Sequence, residues 1–167
     1  MAEPRTSSHI KAMRELLYAR ISSQRVLCVD SDRSFRDFVC WFVSDVGCEV
    51  FAAPKGGDAI ALIERSPTEY DLLILADWLP DMDGVELLRQ LQTMGYSGRV
   101  VVTTTQELRS KQHRMYESLG VSSIMVTPIV YGELMRRLMR ILEQIADSGK
   151  GSGRNKEAFR KYSDASA

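Results

Sequence analysis

Histidine and cysteine are both scarce in this chain, and neither is placed for metal chemistry. The two histidines, His9 and His113, stand far apart and without ligand-like neighbours. The three cysteines, Cys28, Cys40 and Cys48, are odd in number, contain no Cys-x-x-Cys and each fall in an apolar stretch. Reduced, buried thiols are the expectation, and neither a zinc site nor a disulfide framework fits. No apolar run approaches the ~18 residues that a membrane span needs. The opening MAEPRTSSHIKAMRELL lacks the uninterrupted apolar core of a secretion signal, so a cytoplasmic location is expected. There is no internal repeat.

Net charge is also lacking, with 22 basic and 22 acidic side chains among 167 residues, but the balance is uneven. Residues 1–25 and 150–167 each carry five basic and two acidic groups, which leaves 12 basic and 18 acidic in between. An acidic body with basic ends argues against nucleic-acid binding by the body and leaves the ends free to meet an acidic partner or each other.

Five short apolar runs mark the middle: VLCV (26–29), CEVFA (48–52), LLILA (72–76), VVV (100–102) and IMV (124–126). They are β-branched and hardly alternate, as strands covered on both faces should be. Segments of helical period lie between them. Positions 35, 38, 39, 42, 43 and 46 form one apolar stripe, and 59, 60, 62 and 63 another. VELLRQLQTMG and QELRSKQHRMYESLG each close on a glycine, Gly95 and Gly120, placed as helix C-caps. A last helix is expected over 131–146.

Five strand–helix alternations predict a doubly wound α/β fold, a five-stranded parallel sheet with helices on both faces. Three regions follow: an N-terminal helical extension (1–24), the α/β body (25–146) and a flexible basic tail (147–167). The helix of the extension is expected over 7–22, with Ile10, Met13, Leu17 and Ile21 on one side. Within the tail, KEAFRKY has the makings of one helical turn on a partner.

In such sheets the working groups gather at the carboxyl ends of the strands. Those ends read VDSD (29–32), LADWLPDMDG (75–84), TTT (103–105) and VTPI (126–129). With the five alternating units they resemble a response-regulator receiver domain over residues 25 to 146, and LPDMDGVELL is a specific piece of that likeness. The resemblance implies a flavodoxin-like sheet of strand order 2-1-3-4-5. It also implies phosphoryl transfer onto an aspartate ending strand three, with Mg²⁺ held by two acids ending strand one. A Thr or Ser ending strand four and a lysine ending strand five complete the family's site.

Most of that site is missing here. Counting four residues back from Pro80 places Ala76 where the acceptor aspartate belongs. The acid pair is Asp30 followed by Ser31, the lysine position is Thr127, and the aromatic position on strand five is Ile124. Only Asp30 and Thr104 keep their family roles. Losing acceptor, metal acid and lysine together is electrostatically self-consistent, because a lysine facing no phosphate would be a stranded charge. Asp77 follows Ala76, but strand alternation turns its carboxylate to the opposite side. Asp32 reads as the cap of the next helix, and Asp81 and Asp83 as turn and helix-start residues beside Gly84.

The expected function is a phosphorylation-independent pseudo-receiver, a protein-interaction module of bacterial signal transduction without enzymatic activity, metal or other cofactor. Its output would pass through contacts with other proteins. Three alternatives stand beside it: a phosphoaccepting regulator using Asp77, a Mg²⁺-dependent phosphatase of the haloacid-dehalogenase type, and a scaffold anchored by the two ends. VLCVDSDRS superficially matches the opening of such phosphatases, but no suitable lysine and acidic pair follow Thr104.

The last helix carries more apolar surface than a sheet requires. Leu134, Leu138, Ile141 and Ile145 form one stripe, and Met135, Met139 and Leu142 a second. Leu134, Met135, Leu138, Met139 and Leu142 are therefore read as an interaction face. Homodimerisation through the last two helices and last strand is the first expectation, with fold-back of the N-terminal helix over the same stripe as the competitor. The resemblance further implies a cis bond at Thr127–Pro128.

Overall fold

The computed structural model describes residues 5–149. KEAFRKY and all of the basic tail beyond residue 149 lie outside the described residues.

Strands β1 (Arg25–Val29), β2 (Glu49–Ala53), β3 (Leu72–Ala76), β4 (Arg99–Thr104) and β5 (Ser123–Val126) form one parallel sheet in the order β2-β1-β3-β4-β5. Helices α1 (Arg5–Ile21), α2 (Arg33–Asp45), α3 (Gly56–Arg65), α4 (Gly84–Thr93), α5 (Ser110–Ser118) and α6 (Tyr131–Asp147) cover its faces. The doubly wound fold and its strand order are as expected from the alternation and the family likeness.

Every residue of β3 is buried, as an uninterrupted LLILA at the centre of a covered sheet requires. The pleat divides the strand residues between two cores. Leu27, Val29, Leu73, Leu75, Val100 and Val102 face one side, with residues of α3, α4 and α5 packed on them. Val26, Cys28, Leu72, Ile74 and Val101 face the other, under α1, α2 and α6. At roughly 1.5–3 kcal/mol for each fully buried large aliphatic side chain, these two layers account for the burial that drives folding.

Gly95 and Gly120 take φ of 95° and 75°, the left-handed geometry of a helix C-cap. Cys28 and Cys48 are buried free thiols, and Cys40 is only half-buried, on the flank of α2. Burial pushes the Cys48 thiol up to about 12 and also raises Cys28, so neither reacts as a thiolate near neutrality.

Two helices depart from the sequence reading. The fifth helix begins at Ser110, so Gln106–Arg109 belong to the loop that carries β4 away from the sheet. The N-terminal helix does not fold back over α6. Only its end is docked: Ile21 is fully buried, Tyr18 packs beside it, Arg20 pairs with Asp147, and the Gln24 Nε2 amide donates to Leu142 O at 2.7 Å. Residues 8–16 are exposed throughout, Ile10 and Met13 among them.

That docking also corrects the interaction face. Leu134, Leu138 and Leu142 are completely buried within the chain, with Gln24 bonded to the Leu142 carbonyl, so no partner can touch them. Met135 and Met139 are half-buried and pack on the same side of the sheet as α2.

Candidate functional site

The parallel sheet brings Asp30, Ala76, Thr103 to Thr105, and Thr127 to its carboxyl edge. Val29 pairs with Leu75 and Ala76 with Thr103, so Asp30 and Ala76 leave adjacent strands at the same level. A cavity of about 560 Å³ opens here, lined by Asp30, Asp32, Ser34, Phe35, Thr105, Thr127, Pro128, Ile129 and Tyr131.

Asp30 is half-buried at its floor. Its Oδ1 accepts the Asp32 amide at 2.8 Å, its Oδ2 accepts a long bond of 3.4 Å from Thr103, and Arg36 donates to its backbone carbonyl. Burial raises its pKa, and the neighbouring Asp32 adds to the rise against the bonds it accepts. Asp32 caps α2 as expected, accepting from the amides of Ser34 and Phe35 at 2.8 and 3.2 Å. Ser31 is exposed and does not line the cavity.

A raised carboxylate pKa sets the sign of a pH dependence. Between its ordinary value and the raised one, the folded state binds more protons, so this group lowers stability as pH rises through that window. Asp30→Asn is therefore expected to raise the stability at pH 7 by an amount of order 1 kcal/mol. The gain should disappear at acid pH, where the carboxyl is protonated in both states. Urea midpoints of the two proteins at pH 3 and pH 7 test this, and an equal difference at both would contradict it.

Ala76 closes β3 with 8% of its surface exposed. The loop after it is tightly built. The Gly84 amide donates to Asp77 O at 2.7 Å, the Leu79 amide to Met82 O at 3.1 Å, and Trp78 bridges Asp83. Asp83 caps α4 through the Glu86 amide. Asp81 has a role that its place in the sequence conceals. It reaches across to accept from the Gly56 and Gly57 amides at 2.9 and 2.8 Å, capping α3, whose own Lys55 makes no side-chain cap. Those two bonds hold its carboxyl below the usual range.

Asp77 is turned away from the cavity, as strand alternation predicted. Its Oδ1 accepts from the fully buried Tyr116 hydroxyl at 2.5 Å, on the α5 side of the sheet. Burial and this bond push the Tyr116 pKa far up, so the phenol stays a donor. Nothing in the sequence spacing marks that pair.

Thr104 ends β4 buried, turned out of this cavity by alternation along the strand, and its hydroxyl donates to Gln106 O at 3.0 Å. Thr103, bonded to Asp30, and Thr105, lining the cavity, are the hydroxyls facing the site, and period-two counting along TTT would have found them. Thr127 stands on the cavity wall, donating to Thr104 O at 3.1 Å, and the Thr127–Pro128 bond is cis. Ile124 is half-buried on β5 and packs on the α3–α5 side.

A family model, the response regulator receiver domain, matches residues 26–139. The chain belongs to the response regulator receiver domain family. This receiver is 28% identical over 120 residues to the response regulator MprA of Mycobacterium leprae, covering 72% of this chain and 51% of that one. It is 26% identical over 126 residues to the transcription factor SKN7 of Chaetomium thermophilum, covering 75% of this chain and 16% of that one. The receiver thus spans about half or less of these curated relatives. Among solved structures it superposes with a CheY-like receiver domain protein of Methanospirillum hungatei at TM-score 0.67 and 22% identity, covering 75% and 98% of the two chains. With CheY4 of Vibrio cholerae the TM-score is 0.62 at 26% identity, covering 71% and 98%.

A receiver's Mg²⁺ is a hard cation that wants several oxygen ligands, chiefly carboxylates. The residues of this receiver do not fit it. Asp30 is the one carboxylate left of the family's set, Asp32 is committed to a helix cap and Asp77 to Tyr116. Among the described residues no three His, Cys, Asp or Glu side chains converge.

Proposed function

We propose that this chain is a pseudo-receiver, a signalling module that keeps the receiver fold, does without phosphoryl transfer and acts through protein contacts. Ala76 at the end of β3 carries the reading, since a methyl group accepts no phosphoryl. Three further features support it: Thr127 in the lysine position, Ser31 in the metal-acid position, and Asp77 held by Tyr116 on the far side of the strand. The alternative acceptor Asp77 would have to give up a charge-assisted hydrogen bond worth about 1.5–3 kcal/mol and then cross the strand.

Metal binding is the first step that a conventional receiver would need, and Trp78 reports on it. The residue is 68% exposed, two positions beyond Ala76. Titration with Mg²⁺ to millimolar levels is expected to leave Trp78 fluorescence unchanged apart from ionic-strength effects. A saturable change that Asp30→Ala abolishes would count against the proposal. On this reading the protein has no catalytic activity of its own, and hydrolysis of an aryl phosphate would return it to the phosphatase class.

A further inference from the structure

Two apolar surfaces of this chain lie open, and they complement each other. One is the side of α1 that carries Ile10, Met13 and Leu16, which are 63%, 59% and 64% exposed. Lys11 and Arg14 stand beside them, and along with Arg5 and Arg20 they outnumber the helix's single acid, Glu15. Residues 8–16 of α1 are all exposed, and a helical stretch of that length is marginal by itself in water, so a partner surface would help to hold it.

The second surface runs between α2 and α6. Phe38 stacks on Tyr131 with ring centroids 4.0 Å apart and meets Trp41 at 5.8 Å. Trp41 and Tyr131 are still 58% and 55% exposed. Met135 and Met139 lie on the flank of α6 turned towards α2, and extend the strip. Solvent-facing aromatic and Met side chains in one continuous patch are typical of contact surfaces rather than of a free monomer face. Acidic side chains flank the patch by helical spacing: Asp37 and Asp45 stand one turn either side of Trp41 on α2, Asp37 already paired with Arg33, and Glu143 stands one turn after Met139 on α6.

The opposite flank of α6 has another character. Arg136, Arg137 and Arg140 line a polar groove there with Ser122 and Ser123. A two-fold contact through α5, β5 and α6 would bring those arginines towards their own copies.

We propose that α1 of each copy lays its exposed Ile10, Met13 and Leu16 over the α2–α6 aromatic patch of a second copy, making a reciprocal two-fold dimer. Lys11 and Arg14 then face the acidic rim of the other copy. Both uncovered surfaces are buried in one closed arrangement, and the contact is made twice by symmetry. The inference does not depend on whether the site accepts a phosphoryl group.

Sedimentation equilibrium of the full chain tests it. The wild type is expected to be dimeric. Ile10→Glu combined with Met13→Glu, and separately Trp41→Glu, should each weaken association by roughly 30-fold or more, as loss of a central contact residue does. All three positions are exposed, so far-UV circular dichroism should hold. Asp45→Lys offers a milder second variant on the patch side, which Lys11→Glu should partly rescue. Mixing the α1 variant with the Trp41 variant should regenerate a weaker heterodimer, since one intact helix then meets one intact patch. Arg137→Glu with Arg140→Glu should change nothing. The proposal is overturned by a wild type that stays monomeric at its highest soluble concentration, by a dimer indifferent to both variants, by loss only on changing the arginines, or by failure of the mixture to associate.

Discussion

Gly84→Ala is expected to destabilise the protein by roughly 3 kcal/mol, the upper range for forcing extra volume into a packed site. A Cβ at this position would sit 2.8 Å from Ala76 O and 3.1 Å from Asp77 Cα, both backbone atoms, and 2.6 Å from the Tyr116 hydroxyl. None of these is the free end of a flexible chain. The Gly84 amide also closes the loop on Asp77 O, so the helix cannot retreat without breaking that bond. The contrast is Gly132 in α6, where an added Cβ meets nothing within 4 Å. There the same substitution should stabilise by about 0.5–1 kcal/mol, because alanine is the better helix former. Chemical denaturation of both variants gives the comparison. Equal effects at the two positions would mean that the strand-to-helix turn is looser than described.

A second large effect concerns restoration of the missing groups. Ala76→Asp alone should cost about 2 kcal/mol at pH 7, since it sets a second carboxylate beside half-buried Asp30 with no facing cation. The introduced acid's pKa should rise, so the loss should shrink as the pH falls towards 5. Adding Ser31→Asp and Thr127→Lys restores the metal acid and the positive charge. With Mg²⁺ present, that triple variant should regain most of the stability and take up a phosphoryl group from an acyl phosphate donor. A triple variant that folds and yet stays unmodified would show that the loops have drifted beyond repair by three side chains.

How far the sequence could be read depended on how local each determinant is. LLILA announces a buried central strand because an apolar run of that length can be satisfied only by cover on both faces. Asp32, Asp83, Gly95 and Gly120 were legible as caps, since capping uses atoms two or three residues away. Asp81 was legible only as a turn residue, because its partners, the Gly56 and Gly57 amides, come from a different loop. The Tyr116–Asp77 bond was hidden for the same reason: it joins β3 to α5 across a core that must form first. Periodicity marked a wide apolar arc on α6, but could not say that Leu142 is completely buried within the chain. Nor could it say that Met135 and Met139 end up half-buried against the same core as Leu142. Along TTT, alternation turns Thr103 and Thr105 to the cavity and Thr104 away from it, and period-two counting separates the two sets.

The most direct test of the central claim is the intact mass of the wild-type protein after incubation with Mg²⁺ and an acyl phosphate. A conventional receiver treated alongside serves as the positive control. The account predicts no phosphoryl adduct on this chain while the control is modified. A stoichiometric adduct that disappears in Asp77→Asn would contradict it, and would make Asp77 the acceptor in spite of its bond to Tyr116.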